Sequence, residues 1–325
     1  MVLKQNWKDY VIVGDLSATN TSLALFSGRQ LLYRWHYASQ KIKDFSNVLN
    51  AVLREVKMKY NVIISKVCLA VAGPIINNGA YGRLTNADWF VDLPKIKTVL
   101  GLKTVLLIND FEAIAYGITV IPRKALLLVK SGIEQPKKTK VVIGAGTGLG
   151  KAVLVWNEQL KMYLAYPSEG GHADAVIYHE QELELVKFIR QRHALSNVTW
   201  EYLLSGPGLQ NIYQFMETQL PSSSHSLEIR QEGYRPEIIS RYRNSDQLCR
   251  QAFSLFARFY GRCVKNYALD FLSRGGVYLA GGIAAKNPDI FSSSEFLEEF
   301  VNNKKMQSVL KEISIRAITD YEVSL

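Results

Sequence analysis

Apolar residues along this chain recur in two rhythms, and the switches between them outline its elements. Tyr10 to Val13 is a short apolar run broken by Gly14-Asp15, and Ser22 to Phe26 resumes it with apolar and small residues. Such runs, bounded by turn residues, predict a strand, turn, strand unit. From Phe45 to Lys57 the period changes, because Phe45, Val48, Leu49, Val52, Leu53 and Val56 share one face of a helix. A buried strand follows at 67–71, ended by Gly73-Pro74, and another strand at 104–108 runs into Asn109-Asp110 and a helix over about 111–117.

The strand, turn, strand device recurs in mid-chain. Val141 to Ile143 and Ala152 to Trp156 flank the loop Gly144-Ala145-Gly146-Thr147-Gly148-Leu149-Gly150. No segment repeats at a fixed period, yet the recurrence implies two related α/β lobes. We place them at 1–110, a small α/β domain, and 111–325, a large one. Residues 219–244 are rich in Ser, Pro and Arg and read as surface connection. Beyond them Leu248, Phe253, Phe256, Tyr260, Val264, Tyr267 and Phe271 recur at helical spacing, which predicts a long buried helix over 246–272. A strand at 277–280 then meets Gly281-Gly282.

Composition adds mainly exclusions. With 325 residues and 48% hydrophobic content the chain can bury a large core. No apolar run reaches the roughly 18 residues of a membrane span, and Met1 to Tyr10 is polar and mixed in charge, unlike a signal peptide. A cytoplasmic protein with no membrane partner is the expectation. The net charge of +10 is spread along the chain. Its short runs, Lys137-Lys138-Thr139-Lys140 and Lys304-Lys305, lack interleaved aromatics, so they read as solvated surface and not as a nucleic-acid site. Cys68, Cys249 and Cys263 are odd in number, widely spaced and set in apolar stretches, the pattern of reduced thiols.

The loop 144–150 fits neither of two common phosphate fingerprints. Counting back from Gly150-Lys151, a P-loop needs Gly where Ala145 stands and Ser or Thr where Ala152 stands. A dinucleotide fingerprint needs Gly in place of Leu149 and a following helix. What remains is a glycine-rich hairpin, either a plain turn or one that lets phosphate oxygens reach backbone N–H groups, with the Thr147 hydroxyl as a further donor. Asn109-Asp110, between a strand and a helix, suits helix capping. It equally suits a carboxylate at a strand's carboxyl end, ready to deprotonate an alcohol. Glu169-Gly170-Gly171-His172 sets a carboxylate and an imidazole around two small residues, an arrangement able to grip vicinal hydroxyls.

In order along the chain, seven blocks resemble those of bacterial-type glucokinases in the actin/hexokinase-like superfamily. They are Gly14-Asp15-Leu16-Ser17-Ala18-Thr19-Asn20, Leu84-Thr85-Asn86 with Trp89, and Ile108-Asn109-Asp110-Phe111. The glycine loop 144–150, Glu169 to His172, Glu201 with Leu204-Ser205-Gly206-Pro207-Gly208-Leu209, and Ala280-Gly281-Gly282-Ile283 complete the series. The resemblance implies a two-lobed, ribonuclease H-like α/β fold with a cleft between a small and a large domain. It implies ATP-dependent phosphorylation of glucose at the 6-hydroxyl, with Asp110 as general base. Asn86, Asn109, Asp110, Glu169, His172 and Glu201 would form the hexose pocket. Asp15 would hold Mg²⁺, while Thr19, Asn20, Gly146, Thr147, Gly148, Gly206, Gly281 and Gly282 would bind the nucleotide. Lobe closure over the sugar would exclude water. A homodimer is a further family expectation.

Two departures from the family pattern stand out. Ser17 and Ala18 occupy positions where the family has two glycines. A side chain forced into left-handed backbone costs about 1–2 kcal/mol, and a β-carbon would crowd a phosphate. From this follows a second reading, a sugar-binding sensor with weak or absent turnover. The other departure is Ile318-Thr319-Asp320-Tyr321 leading to Leu325, where relatives continue into a last helix that returns to the small lobe; the reading lacks that helix.

Overall fold

The structure, a computed structural model, describes residues 10–84 and 89–319. The described residues divide into two compact α/β units, the first running through Gly117 and the second beginning at Ile118.

In the first unit, strands β1 (Tyr10–Leu16), β2 (Asn20–Ser27) and β3 (Gln30–Ala38) form an antiparallel meander. β4 (Lys66–Val71) then pairs parallel to β1. Three short strands, β5 (Ile75–Ile76), β6 (Tyr81–Arg83) and β7 (Phe90–Asp92), make a separate small sheet. β8 (Thr104–Asn109) joins the main sheet parallel to β4, giving the order β3-β2-β1-β4-β8.

Helix α1 (Phe45–Tyr60) buries Phe45, Leu49, Val52 and Val56, the face that the periodicity marks. Its start is set by Asp44, whose side chain accepts from the Ser46 N–H, and its end by Asn61 in the left-handed region at φ 53°. α2 (Leu93–Leu100) and α3 (Asp110–Gly117) complete the unit. α3 packs on β4 and β8 and so belongs with the first unit, whereas the sequence reading divides the chain just before it.

The second unit repeats the plan. β9 (Leu126–Lys130) forms one edge, and β10 (Lys140–Ala145), β11 (Leu149–Asn157) and β12 (Met162–Ser168) form the antiparallel meander. β13 (Val277–Ala280) lies parallel to β10, and β14 (Ile315–Ile318) parallel to β13, in the order β12-β11-β10-β13-β14-β9. Thus β1, β2, β3, β4 and β8 correspond to β10, β11, β12, β13 and β14. The recurrence visible at two turns in the sequence extends to five strands.

Helices α4 (Glu180–His193), α5 (Gly206–Gln219), α6 (Ser226–Gln231), α7 (Pro236–Arg241) and α8 (Gln247–Asp270) follow the meander. α8 is the expected long buried helix, capped by Asp246 through the Cys249 N–H. It packs closely on α10 (Ser294–Val301), where a Cβ on Gly261 would meet the Phe296 carbonyl at 2.3 Å. Arg262, fully buried on α8, bonds both oxygens of Glu182 at 2.7 and 2.9 Å and reaches Glu299 at 2.7 Å, tying α4, α8 and α10 together. α9 (Gly281–Lys286) and α11 (Gln307–Glu312) close the set.

The surface connection expected over 219–244 is corrected. It holds α6 and α7, which bury Ile229, Ile238 and Ile239. Polar composition concealed three apolar anchors and Pro236, well suited to a helix's first turn. Cys249 and Cys263 are buried, Cys68 is half-buried, and all three are free thiols; burial pushes those of Cys68 and Cys263 up to about 11.

Candidate active site

In the first unit the β-ladders place Leu16, Val71 and Asn109 in one row across three parallel strands. Their carboxyl ends are therefore level, which delivers Asp15 and Asp110 to the sheet edge where open α/β sheets bind ligands. Strand spacing sets the backbones of β1 and β8 about 10 Å apart there. The Asn109 side-chain oxygen accepts from the N–H groups of Phe111 at 2.9 Å and Glu112 at 3.3 Å. Asn109 is therefore the cap of α3, and Asp110 is relieved of that duty. Both capping and chemistry were open for this pair in the sequence; the geometry gives the capping to Asn109.

The turn joining β1 to β2 carries Ser17, Ala18 and Thr19, with Asn20 opening β2. Its strain, expected from the missing glycines, is absent: neither Ser17 nor Ala18 has positive φ. The turn is braced by side chains instead. The Ser17 hydroxyl donates to the Asn20 carbonyl at 2.9 Å and accepts from the Asn20 N–H at 3.2 Å. Beneath it lies Ser39, fully buried, whose hydroxyl donates to the Ser17 carbonyl at 2.6 Å. That spends the Ser39 proton, so Thr21 must be the donor in its 2.9 Å contact with Ser39. The Ser39 N–H donates to the Thr19 carbonyl at 3.0 Å, and its own carbonyl accepts from the Trp89 indole at 3.0 Å. Trp89 belongs to the sugar-side block; Asn86 in the same block lies outside the described residues.

The second unit hangs the matching turn differently. Gly146-Thr147-Gly148 joins β10 to β11, closed by the Gly146 N–H donating to the Gly148 carbonyl at 2.8 Å. Glu201 braces it, one carboxylate oxygen accepting from the Leu149 N–H at 2.8 Å. The same oxygen lies 2.6 Å from where a Cβ on Gly148 would stand, so any side chain there would displace the Glu201 carboxylate. Ser205 donates to the Glu201 carbonyl and caps α5 through the Gly208 N–H, and the Gly206 N–H then donates to the Gly146 carbonyl at 2.7 Å. A Cβ on Gly146, in contrast, would meet nothing within 4 Å.

Glu169 precedes a one-turn 3₁₀ helix, Gly170–His172, seated on β11 so closely that a Cβ on Gly171 would meet the Leu149 carbonyl at 2.0 Å. The Glu169 and His172 side chains are mostly exposed and approach to 3.8 Å. This turn packs against the 3₁₀ turn Trp200–Tyr202 that carries Glu201. Leu149 thus touches Glu201 through its N–H and lies under Gly171 through its carbonyl.

Gly146, Thr147, Gly206 and Gly282 converge on a cavity of about 500 Å³. Gly148 and Gly281 are held against protein instead. Gly281, at φ 85°, lies with its Cβ position 2.5 Å from the Ala145 carbonyl, so it is required where α9 meets the end of β10. The cavity is also lined by Gln210, Glu237, Ser240, Lys286 and Asn287, which sequence reasoning missed. All five sit outside any glycine block, and Glu237 and Ser240 fall in the segment read as connection. Ser39 was missed as well, for a lone serine after a strand carries no signal.

One carboxylate beside the first-unit site is perturbed. Burial raises the pKa of Glu112 above the ordinary glutamate value, partly offset by a hydrogen bond from the Asn109 backbone to its carboxylate. The first unit carries the Asp110 carboxylate at a strand edge, and the second carries a cluster of polar side chains and a glycine turn opening on a cavity of nucleotide size. That inventory serves phosphoryl transfer to an alcohol, which runs on positioning and charge neutralisation.

A family model described as Glucokinase matches residues 12–325. The glucokinase of Nostoc sp. is 34% identical over 334 residues, covering 97% of this chain and 96% of that protein. Among solved structures, the chain is similar to glucokinase from Balamuthia mandrillaris in complex with glucose, with TM-score 0.83, 19% identity, and coverage of 99% of this chain and 92% of that one. It is also similar to a ROK family glucokinase from Streptomyces griseus in complex with glucose and AMPPNP, with TM-score 0.65, 17% identity and coverage of 97% and 96%. At these identities the likeness establishes the architecture, a two-lobed actin/hexokinase-like fold.

Proposed function

Because the chain belongs to the glucokinase family, we infer that it is an ATP-dependent glucokinase, transferring the γ-phosphoryl group of ATP to the 6-hydroxyl of glucose. The observation that best supports this reading is the end of β8, where the Asn109 side chain caps the helix that Asp110 opens at the carboxyl edge of the sheet. In the proposed mechanism Asp110 takes the proton of the 6-hydroxyl, a contribution of about 10²–10⁴-fold. Asn109, Glu169, His172 and Glu201 hold the sugar hydroxyls, and Asn86 joins them on the family resemblance alone. The turn 146–148 receives the ATP phosphates, with Gly206, Gly281 and Gly282 on the nucleoside side and Thr19 and Asn20 contributing from the first turn.

Asp15 suits Mg²⁺, which takes one or two carboxylates and completes its shell with water and phosphate oxygens. Bound there, Mg²⁺ would neutralise phosphate charge. The same reading places the enzyme in the cytoplasm, in glycolysis, as a homodimer. Among the described residues no helix is long and apolar enough to cross a membrane. The rival sensor reading rested in part on a strained first turn, and that strain is absent. A coupled ADP-release assay tests the proposal: glucose-dependent release is expected, and glucose binding by calorimetry without any release would return the sensor.

A further inference from the structure

The cavity beside the glycine turn has a polar wall whose hydrogen-bond sense can be worked out from its buried partners. Asn287 is 3% exposed, and its side-chain nitrogen donates to the Ile283 carbonyl at 3.2 Å. A carbonyl can only accept, so this contact fixes which way the amide faces. The Asn287 oxygen is then the atom that meets the Ser240 hydroxyl, and Ser240 must give it its single proton. The Ser240 backbone is pinned as well: its carbonyl accepts from Arg243 at 3.1 Å, and Arg243 is itself clamped by both oxygens of Asp289 at 3.1 and 2.9 Å.

Ser240 therefore meets the cavity with lone pairs only. Gln210 has one amide N–H engaged by the Gly233 carbonyl at 2.9 Å, and Glu237 adds an acceptor-only carboxylate. Leu209, Pro236 and Ile283 supply apolar lining for a flat ring. The cation of the lining, Lys286, is exposed at the rim.

Resting on the reading that this cavity takes the nucleotide, we propose that Ser240, held as an acceptor by Asn287, is a specificity-determining residue that selects an amino-bearing base over a keto base. An exocyclic amino group donates to the Ser240 oxygen. A keto oxygen at the same place meets lone pairs, and turning the hydroxyl toward it strands the buried oxygen of Asn287.

Calorimetric titration of the full chain with ADP and with IDP, which carries a keto group in place of the amino group, tests this without requiring turnover. We expect ADP to bind at least about tenfold more tightly, the effect of one buried hydrogen bond lost. Ser240→Ala should bring the two within about threefold of each other, whereas Ser240→Thr, which keeps the hydroxyl, should retain the preference. A purely structural loosening would weaken both nucleotides alike and leave their ratio unchanged. Equal binding of ADP and IDP to the unsubstituted protein, or an unchanged ratio in Ser240→Ala, overturns the proposal, as does failure of both to bind. Preferential ADP binding without glucose phosphorylation would instead sustain it and sink the kinase reading.

Discussion

The two turns occupy equivalent places in equivalent sheets, yet they are built on opposite terms. The first, between β1 and β2, has lost the family's glycines and is held by hydroxyls, its own Ser17 and the buried Ser39. The second, between β10 and β11, keeps its glycines and is held by the carboxylate of Glu201 and the amide of Gly206. Glycines suit the second turn for two separate reasons: at Gly148 the space is taken by Glu201, and at Gly146 it is open to the cavity. A missing glycine is thus not a strained turn when the backbone needs no positive φ and a side chain supplies the brace.

The largest effect should come from Asp110→Asn at the edge of the first unit. Turnover should fall about 10²–10⁴-fold, with the melting temperature unchanged because Asn109 retains the cap. Unfolding at unchanged turnover would reassign Asp110 to structure.

Next comes the brace of the second turn. Glu201→Leu strips the acceptor from the Leu149 N–H and should lower kcat/KM by about tenfold to a hundredfold, an energy comparable to one unmade buried hydrogen bond to a charged group. Glu201→Gln keeps an acceptor oxygen and should preserve thermal stability, so the pair separates brace from charge.

For the first turn the corresponding change is Ser39→Ala. It leaves the Ser17 carbonyl and the Thr21 hydroxyl without their partner, and denaturant unfolding should register a loss of about 1–3 kcal/mol. If it costs nothing, the first turn is not hung on Ser39.

Gly146→Ala asks whether the open space at the second turn belongs to a ligand. Stability should change by no more than about 0.5 kcal/mol, since the added methyl group meets no protein atom, while KM for ATP rises about tenfold. Unchanged KM would mean that phosphates do not approach Gly146.

The smallest effect contrasts two carboxylates. Burial raises Glu112 in the first unit, so its ionised form opposes folding above that raised pKa and the cost vanishes as pH falls below the ordinary value of 4.5. Glu112→Gln should therefore stabilise by under about 1 kcal/mol at pH 7 and by nothing near pH 4. In the second unit, burial of Glu182 is outweighed by its bonds from Arg262, which hold its pKa below the ordinary range. Its contribution is complete above the ordinary value and lost as pH falls through the lowered one. Melting curves against pH, with and without Glu112→Gln, check both signs.

Much of this protein was legible before any coordinates. Periodicity found α1 and α8 because one face of each had to be apolar, and runs of apolar residues found β4 and β13 because strands covered on both faces carry little else. It failed at α6 and α7, where short helices carry too few apolar positions to show a period. Candidate site residues stood out where polar groups cluster in one stretch of chain, as at Asn109-Asp110 and Glu169 to His172.

By itself, then, the sequence determined most of the elements and the recurrence of a hairpin turn in two α/β units, because these depend on local spacing and residue type. The tertiary structure decided which of Asn109 and Asp110 caps the helix, that Ser17 and Ala18 sit without strain, that Glu201 braces the glycine turn, and that Ser240 faces its cavity as an acceptor. Each of those is a hydrogen-bond assignment between residues brought together by folding. A proton can be given only once, and which partner receives it is settled by distances that no spacing along the chain encodes.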